Sequence, residues 1–265
     1  MNKLRFLHIP KTAGTTFSNI LIDQYGKDKY FQFTGDIDND LERFDSLPKG
    51  VQANTVLFTG HAPVFTGHDY VDTIDLVTFL RDPVERVKSF CQHVSEGKSK
   101  YLVKLFPPEN FNLQRLLNSQ ILELRNLQTK MLTNKGRCAL RIQMRPQEAI
   151  DKAFLHLTEK TTFGLVEYFD ESLILFQKKY KWELPTYYSK NRKNTDKLIE
   201  FKPHHIDRIK QLNALDIELY EKAKSYFMKQ LQSDDFDNDK LAKLQKSNKY
   251  KTTWQKIKNK LSLKS

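Results

Sequence analysis

The sequence predicts an α/β domain of three layers, in which helices cover both faces of a mainly parallel central sheet. Three observations predict it. A β-favouring run at the N-terminus passes through a glycine-containing turn into an amphipathic helix. A second run, Leu76-Val77-Thr78-Phe79-Leu80, is apolar almost throughout, as a strand covered on both faces of a parallel sheet is. Strand and helix patterns then alternate along the chain, the order that builds a parallel sheet with crossover helices.

In chain order, Leu4 to Ile9 reads as the first strand, ended by Pro10, and a helical period follows at Phe17, Ile20, Leu21 and Tyr25. Residues 26–50 are polar and aromatic, broken by Gly35, Pro48 and Gly50, and read as a loop with a short helix at most. Thr55 to Thr59 is the second strand, closed by Gly60-His61-Ala62-Pro63, and Leu76 to Leu80 is the third. Asp82 starts the next helix as its cap, Pro83 suits the first helical position because its missing N–H is unneeded there, and Glu85 sits where a capping-box partner belongs. Apolar spacings of three and four predict helices over Leu113 to Leu132, Pro146 to Leu157, Glu171 to Tyr180 and Pro203 to Leu231, with a fourth strand at Thr162 to Val166.

With 265 residues and 39% hydrophobic content, the chain can form one substantial domain plus an appendage. The acidic break Ser233 to Asp239 marks the boundary, giving a domain over 1–235 and a lysine-rich extension over 236–265. Nine of the twelve net positive charges lie between Lys240 and Ser265, where there is no acidic residue, leaving +3 on residues 1–239. A nearly balanced body argues against nucleic acid as the partner. The tail's apolar residues Leu241, Leu244, Trp254, Ile257 and Leu261 allow a weak contact with an anionic surface, although a solubilising extension is the plainer reading. Cys91 and Cys138 read as incidental thiols, and no His, Cys, Asp or Glu set has metal-ligand spacing. With no leader and no run of roughly 20 apolar residues, the chain reads as cytoplasmic.

The strongest local signal is Pro10-Lys11-Thr12-Ala13-Gly14-Thr15-Thr16, between the first strand and the first helix. Small residues let backbone N–H groups turn inward, the helix N-terminus favours negative charge, and a lysine and hydroxyls supply further donors, so this loop suits a phosphate. The lysine precedes the glycine rather than following it, which is not the Walker A order. The second signal, Arg81-Asp82-Pro83-Val84-Glu85-Arg86-Val87-Lys88-Ser89, follows the third strand, and a strand's carboxyl end is where ligands of open α/β sheets bind.

Together these two segments resemble the 5′-phosphosulfate loop and the 3′-phosphate segment of sulfotransferases that use 3′-phosphoadenosine 5′-phosphosulfate (PAPS). The branch resembled includes the heparan sulfate 2-O- and 6-O-sulfotransferases and bacterial carbohydrate-sulfotransferase-like proteins. Asn126 to Leu132, Phe163 to Glu167 and Leu212 to Tyr220 also resemble segments of this branch, in the expected order. The resemblance implies a P-loop-like sulfotransferase fold and an O-sulfotransferase acting on a carbohydrate hydroxyl, with no metal. It implies that Lys11, Thr12, Ala13, Gly14, Thr15 and Thr16 hold the 5′-phosphosulfate and that Arg81 and Ser89 hold the 3′-phosphate. Asn191, Arg192 and Lys193 fall in a segment, Tyr187 to Lys193, that resembles the loop closing over the nucleotide.

Sulfonate transfer to a hydroxyl needs a base within hydrogen-bond reach of that hydroxyl. His61, after the second strand, resembles the family's general base, with His68 as the runner-up base or an acceptor contact. Lys11 takes a second, catalytic role on the leaving group, and His93 matches an acceptor-contact position of the 6-O enzymes. Around the acceptor the sequence departs from its heparan-acting relatives: no tryptophan follows His61 before Asp75, and residues 26–50 carry no arginine and tryptophan ladder. Two rivals stand beside this reading. A P-loop-like phosphotransferase shares the cradle but needs the Gly-Lys-Thr order and an acidic metal ligand, and a non-catalytic polyanion-binding module would depend on the tail.

Overall fold

The computed structural model describes residues 2–134, 142, 144–185, 187 and 198–249. Its five strands are β1 (Leu4–Leu7), β2 (Tyr30–Phe33), β3 (Leu57–Gly60), β4 (Asp75–Leu80) and β5 (Thr161–Leu165). They form one sheet, ordered β2-β3-β1-β4-β5, in which every pair is parallel. The helices of the first half are α1 (Gly14–Tyr25), α2 (Ile37–Asp45), α3 (Lys49–Asn54), α4 (Asp69–Asp72), α5 (Pro83–Ser95) and α6 (Leu113–Asn118). Those of the second half are α7 (Leu127–Thr133), α8 (Pro146–Glu159), α9 (Phe169–Tyr180), α10 (Pro203–Leu212), α11 (Ala214–Leu231) and α12 (238–249).

Alternating side chains of the strands feed two cores. Leu7, Leu76, Leu80, Phe163 and Leu165 pack against α7, α8 and α11 on one face. Leu4, Phe6, Leu57, Val77 and Phe79 pack against α1 and α9 on the other. Each fully buried Leu or Phe contributes about 1.5–3 kcal/mol, so both faces are held and the expected three-layer α/β arrangement is the one observed.

Three expectations change. Residues 26–50 contain an edge strand, the helix α2 and the start of α3. The strand β2 is only four residues long and alternates exposed Tyr30 and Gln32 with buried Phe31 and Phe33, a pattern too short to stand out in the sequence. The buried Asp40 carboxylate of α2 accepts from the backbone N–H groups of Thr34 (2.7 Å) and Gly35 (3.2 Å), which ties this segment to the sheet edge. The helix expected over Leu113 to Leu132 is broken into α6, a 3₁₀ turn at Leu122–Leu124 and α7, and the one over Pro203 to Leu231 divides at Asn213.

Exchanged caps cause both breaks. Asp216, fully buried, accepts from Gln128 N (3.0 Å), Thr129 N (2.8 Å) and Thr129 Oγ1 (2.8 Å), and so caps α7. In return Asn126 Oδ1 accepts from Leu215 N (3.1 Å) and Asp216 N (3.3 Å) at the start of α11. Asn213 donates to Leu124 O (2.8 Å) and Ile209 O (2.9 Å) and accepts from Asn126 N (3.1 Å). Side-chain amides and a carboxylate replace the helix ladder at these points, and apolar spacing alone does not register them.

The start of the lysine-rich extension lies against the body. Leu244 of α12 is fully buried in the cluster formed by α1 and α9, and the Asn248 side chain accepts from Tyr187 N at 3.0 Å. Cys91 is buried and its thiol is pushed up to about 12 by desolvation; Cys138 lies outside the described residues.

Replacing Asp216 by Ala strips two buried N–H groups and the Thr129 hydroxyl of their acceptor. Urea unfolding should record a loss of about 3 kcal/mol; a loss below about 1 kcal/mol, the net worth of one ordinary hydrogen bond, would contradict the capping account.

Candidate active site

The carboxyl ends of three neighbouring strands converge. Leu7 of β1 is in register with Gly60 of β3 on one side and Thr78 of β4 on the other. The loops leaving these ends carry Lys11, His61 and Arg81, and all three residues line one cleft of about 1440 Å³. The chain order reverses around β1, the switch-point geometry at which open α/β sheets bind ligands.

The loop after β1 is wound tightly. Lys11 and Ala13 both adopt left-handed backbone, with φ of 71° and 61°, a conformation that costs non-glycine residues roughly 1–2 kcal/mol each. Gly14 is required by a close approach: a Cβ there would overlap the imidazole of His8. Helix α1 then begins with no side-chain cap and no acidic residue in its first turn. Ala13, Gly14, Thr15 and Thr16 line the cleft at that uncapped end, so free N–H groups and the positive end of the helix dipole meet there. Thr12 does not join them; its side chain is buried, and its hydroxyl (2.8 Å) and N–H (3.4 Å) both go to Ile9 O.

Arg81 is fixed at both ends. Gln128 accepts from Arg81 N and donates to Arg81 O, each at 2.9 Å, and the Arg81 guanidinium donates to Lys11 O at 3.2 Å. The two segments read as phosphate-binding are therefore in direct contact. Lys11 is held below the ordinary lysine value by burial first and by the charges of Arg81 and Lys98 next. Asp82 accepts from Glu85 N at 2.9 Å, the capping role expected of it. Ser89 and His93, one turn apart on α5, both line the cleft.

His61 Nδ1 lies 2.8 Å from His8 O, so Nδ1 carries the hydrogen and Nε2 is left as the acceptor. Desolvation lowers its pKa, outweighing that backbone contact, and so favours the neutral ring. His8, which the sequence reading passed over, packs against it with ring centroids 4.4 Å apart and stacks on Phe6 at 5.3 Å. Burial, then the nearby His61 and Lys11, lower His8 to about 3, so it is an uncharged wall. A histidine at the end of the first strand run, two residues before Pro10, was the available signal for it. Gln128, also passed over as a site residue, carried no signal beyond the segment it sits in.

His68 stands apart. It caps α4, with Nδ1 accepting from Val71 N (3.4 Å) and Nε2 beside Asp45 (3.1 Å), and it does not line the cleft. Asn191, Arg192 and Lys193 lie outside the described residues. Among the described residues no group of His, Cys, Asp and Glu is arranged to hold a metal ion.

Residues 1–139 match the sulfotransferase family. The chain is 26% identical, over 272 aligned positions, to heparan-sulfate 6-O-sulfotransferase 2 of Danio rerio, covering 86% of this chain and 58% of that protein. It is 24% identical to the Gallus gallus protein of the same name, covering 86% of this chain and 67% of that one. The chain thus spans little more than half the length of the first of these relatives. Mouse sulfotransferase SULT7A1, solved in complex with PAP, aligns at 10% identity with a TM-score of 0.36, over 82% of this chain and 64% of that one. The cytoplasmic expectation is corrected by these relatives, since heparan-sulfate sulfotransferases are Golgi-lumenal enzymes. No helix among the described residues is long and apolar enough to cross a membrane.

Gly14→Ala should destabilise the fold by about 2–3 kcal/mol through overpacking against the His8 ring. Measured in a His8→Ala background by the same thermal or urea unfolding, the penalty should shrink to under about 1 kcal/mol. An equal penalty in both backgrounds would show that the His8 contact is not what requires glycine.

Proposed function

This chain belongs to the sulfotransferase family, and from that premise we propose that it transfers a sulfonate group from PAPS to a hydroxyl of a carbohydrate acceptor. The observation that carries the reading is the convergence, in one cleft, of Lys11, the turn Ala13 to Thr16, Arg81, Ser89 and His61, whose Nδ1 is held by His8 O. The residues suit the donor. The left-handed turn, the glycine close approach and the uncapped α1 make a cradle for a phosphate group, and Arg81 offers a planar fork for a second one. The relatives' substrate, heparan sulfate, supports a carbohydrate as the acceptor class.

In this reading the acceptor oxygen attacks sulfur in line with the bond to the bridging phosphate oxygen. Nε2 of His61 takes the hydroxyl proton as the new S–O bond forms, and its Nδ1–H stays anchored on His8 O, which keeps the ring in the tautomer a base needs. Burial favours the neutral ring, the form a base needs. The old S–O bond breaks with its electron pair on the leaving phosphate. Lys11 donates to that oxygen, an interaction that strengthens as charge develops there. His93 stands on the same face of α5 as Ser89 and contacts the acceptor. The domain over residues 1–235 accounts for this activity, with 236–265 as a further segment whose start packs against it.

Calorimetry with 3′-phosphoadenosine 5′-phosphate (PAP) tests the donor site. Arg81→Ala should weaken PAP by about 2 kcal/mol, roughly 30-fold, while adenosine 5′-phosphate, lacking the 3′-phosphate, changes much less; equal losses for both nucleotides would reject the assignment. Lys11→Ala should lower kcat by about 10²–10³. The pH profile of kcat/KM carries the sign of both shifts. The acid limb should fall below the ordinary histidine value of about 6.5, because a lowered pKa keeps His61 deprotonated to lower pH, and the basic limb below the ordinary lysine value of about 10.4, because Lys11 loses its proton early. An acid limb above 6.5, or one that survives His61→Ala, would exclude His61 as the base.

A further inference from the structure

Resting on the donor site just described, we propose that the acceptor is a sugar bearing no sulfate or carboxylate, and that Glu96 and Glu123 are the residues that select it. The cleft has a wall that the donor loops do not build, made by the end of α5 and the segments after it. His93, Glu96, Lys98, Tyr101 and Glu123 line that wall.

Its charges are arranged against an anion. Among the described residues the cleft holds three cationic side chains, and two of them, Lys11 and Arg81, face the donor's phosphates in this reading. The third, Lys98, is already bonded to the Glu96 carboxylate and holds that carboxyl below the usual range. His93 supplies no charge, since burial and then Lys11 and Lys98 lower it to about 4. Glu96 offsets Lys98 and also accepts from Gln92 Nε2 at 2.9 Å, whereas Glu123, which accepts from the Tyr101 hydroxyl, adds a negative charge to the lining. Asp36, before α2, adds a third carboxylate to the lining.

A uronate or sulfated sugar entering here would meet these carboxylates and the negative donor together, and like charges brought face to face cost several kcal/mol. An uncharged sugar instead brings hydroxyl donors. Each carboxylate accepts about four hydrogen bonds, so Glu96 and Glu123 retain acceptor capacity beyond their present partners. Selection thus combines attraction for hydroxyls with repulsion of the charged competitor.

The test is calorimetry on the full chain. PAP is titrated first; failure to bind it would remove the donor-site reading and this inference with it. The PAP-loaded protein is then titrated at low salt with uncharged tetrasaccharides of chitin and cellulose type and with a tetrasaccharide alternating N-acetylglucosamine and glucuronate. An uncharged sugar should bind at least about tenfold more tightly than the uronate sugar. In the Glu96→Gln, Glu123→Gln double variant, which keeps the contacts from Gln92 and Tyr101 but leaves Lys98 unpaired, PAP affinity should hold and that gap should close to within about threefold. Binding of the uronate sugar as tightly as the uncharged ones, binding of none of the uncharged sugars, or a gap unchanged in the variant that still binds PAP would overturn the proposal.

Discussion

The position of β1 between β3 and β4 is the constraint on which the rest of the molecule depends. Parallel neighbours lie about 4.8 Å apart, so the chain leaves the sheet at three points within roughly 10 Å of one another. Backbone pairing fixes this separation through the register of Leu7 with Gly60 and Thr78. Apolar layers on both faces then prevent slippage, because a one-residue shift would exchange the two cores' side chains. The loops that carry Lys11, Arg81 and His61 are thus brought to one place by the backbone ladder.

Burial does the second part of the work. His8, His61, Lys11 and His93 are all pushed toward their neutral forms, with desolvation the largest cause in each. A cleft walled by uncharged imidazoles strengthens the electrostatic interactions made inside it, since fewer water dipoles screen them. The same environment makes charge near the acceptor costly, and the carboxylates of Glu96 and Glu123 turn that cost into discrimination. Support for the geometry comes from behind: Gln128 clamps the Arg81 backbone, Asp216 caps the turn that carries Gln128, and Asn126 caps the helix that carries Asp216.

The parts of this arrangement that were legible in the sequence are those with a local signature. The β1 loop carries its glycine, lysine and hydroxyls within seven residues, and the Asp82-Pro83 start of α5 is a cap written in sequence. The layer architecture followed from the order of apolar runs. What escaped reading depends on contacts between distant residues. The buried caps that break α6 from α7 and α10 from α11 join positions about ninety residues apart. The edge strand β2 has only two buried side chains. His8 looked like part of a strand, and its role arises from where β3 delivers His61. His68 and Thr12 had the right residue types in the right segments, yet each spends its polar atoms on its own backbone neighbourhood or on Asp45.

A crystal structure of the protein with PAP tests the central claim most directly. The account predicts one nucleotide spanning the cleft, its 5′-phosphate within hydrogen-bond distance of the Lys11–Thr16 loop, its 3′-phosphate on Arg81 and Ser89, and His61 Nε2 facing the 5′ end. Nucleotide bound elsewhere, or bound with its 5′-phosphate remote from His61, would contradict it.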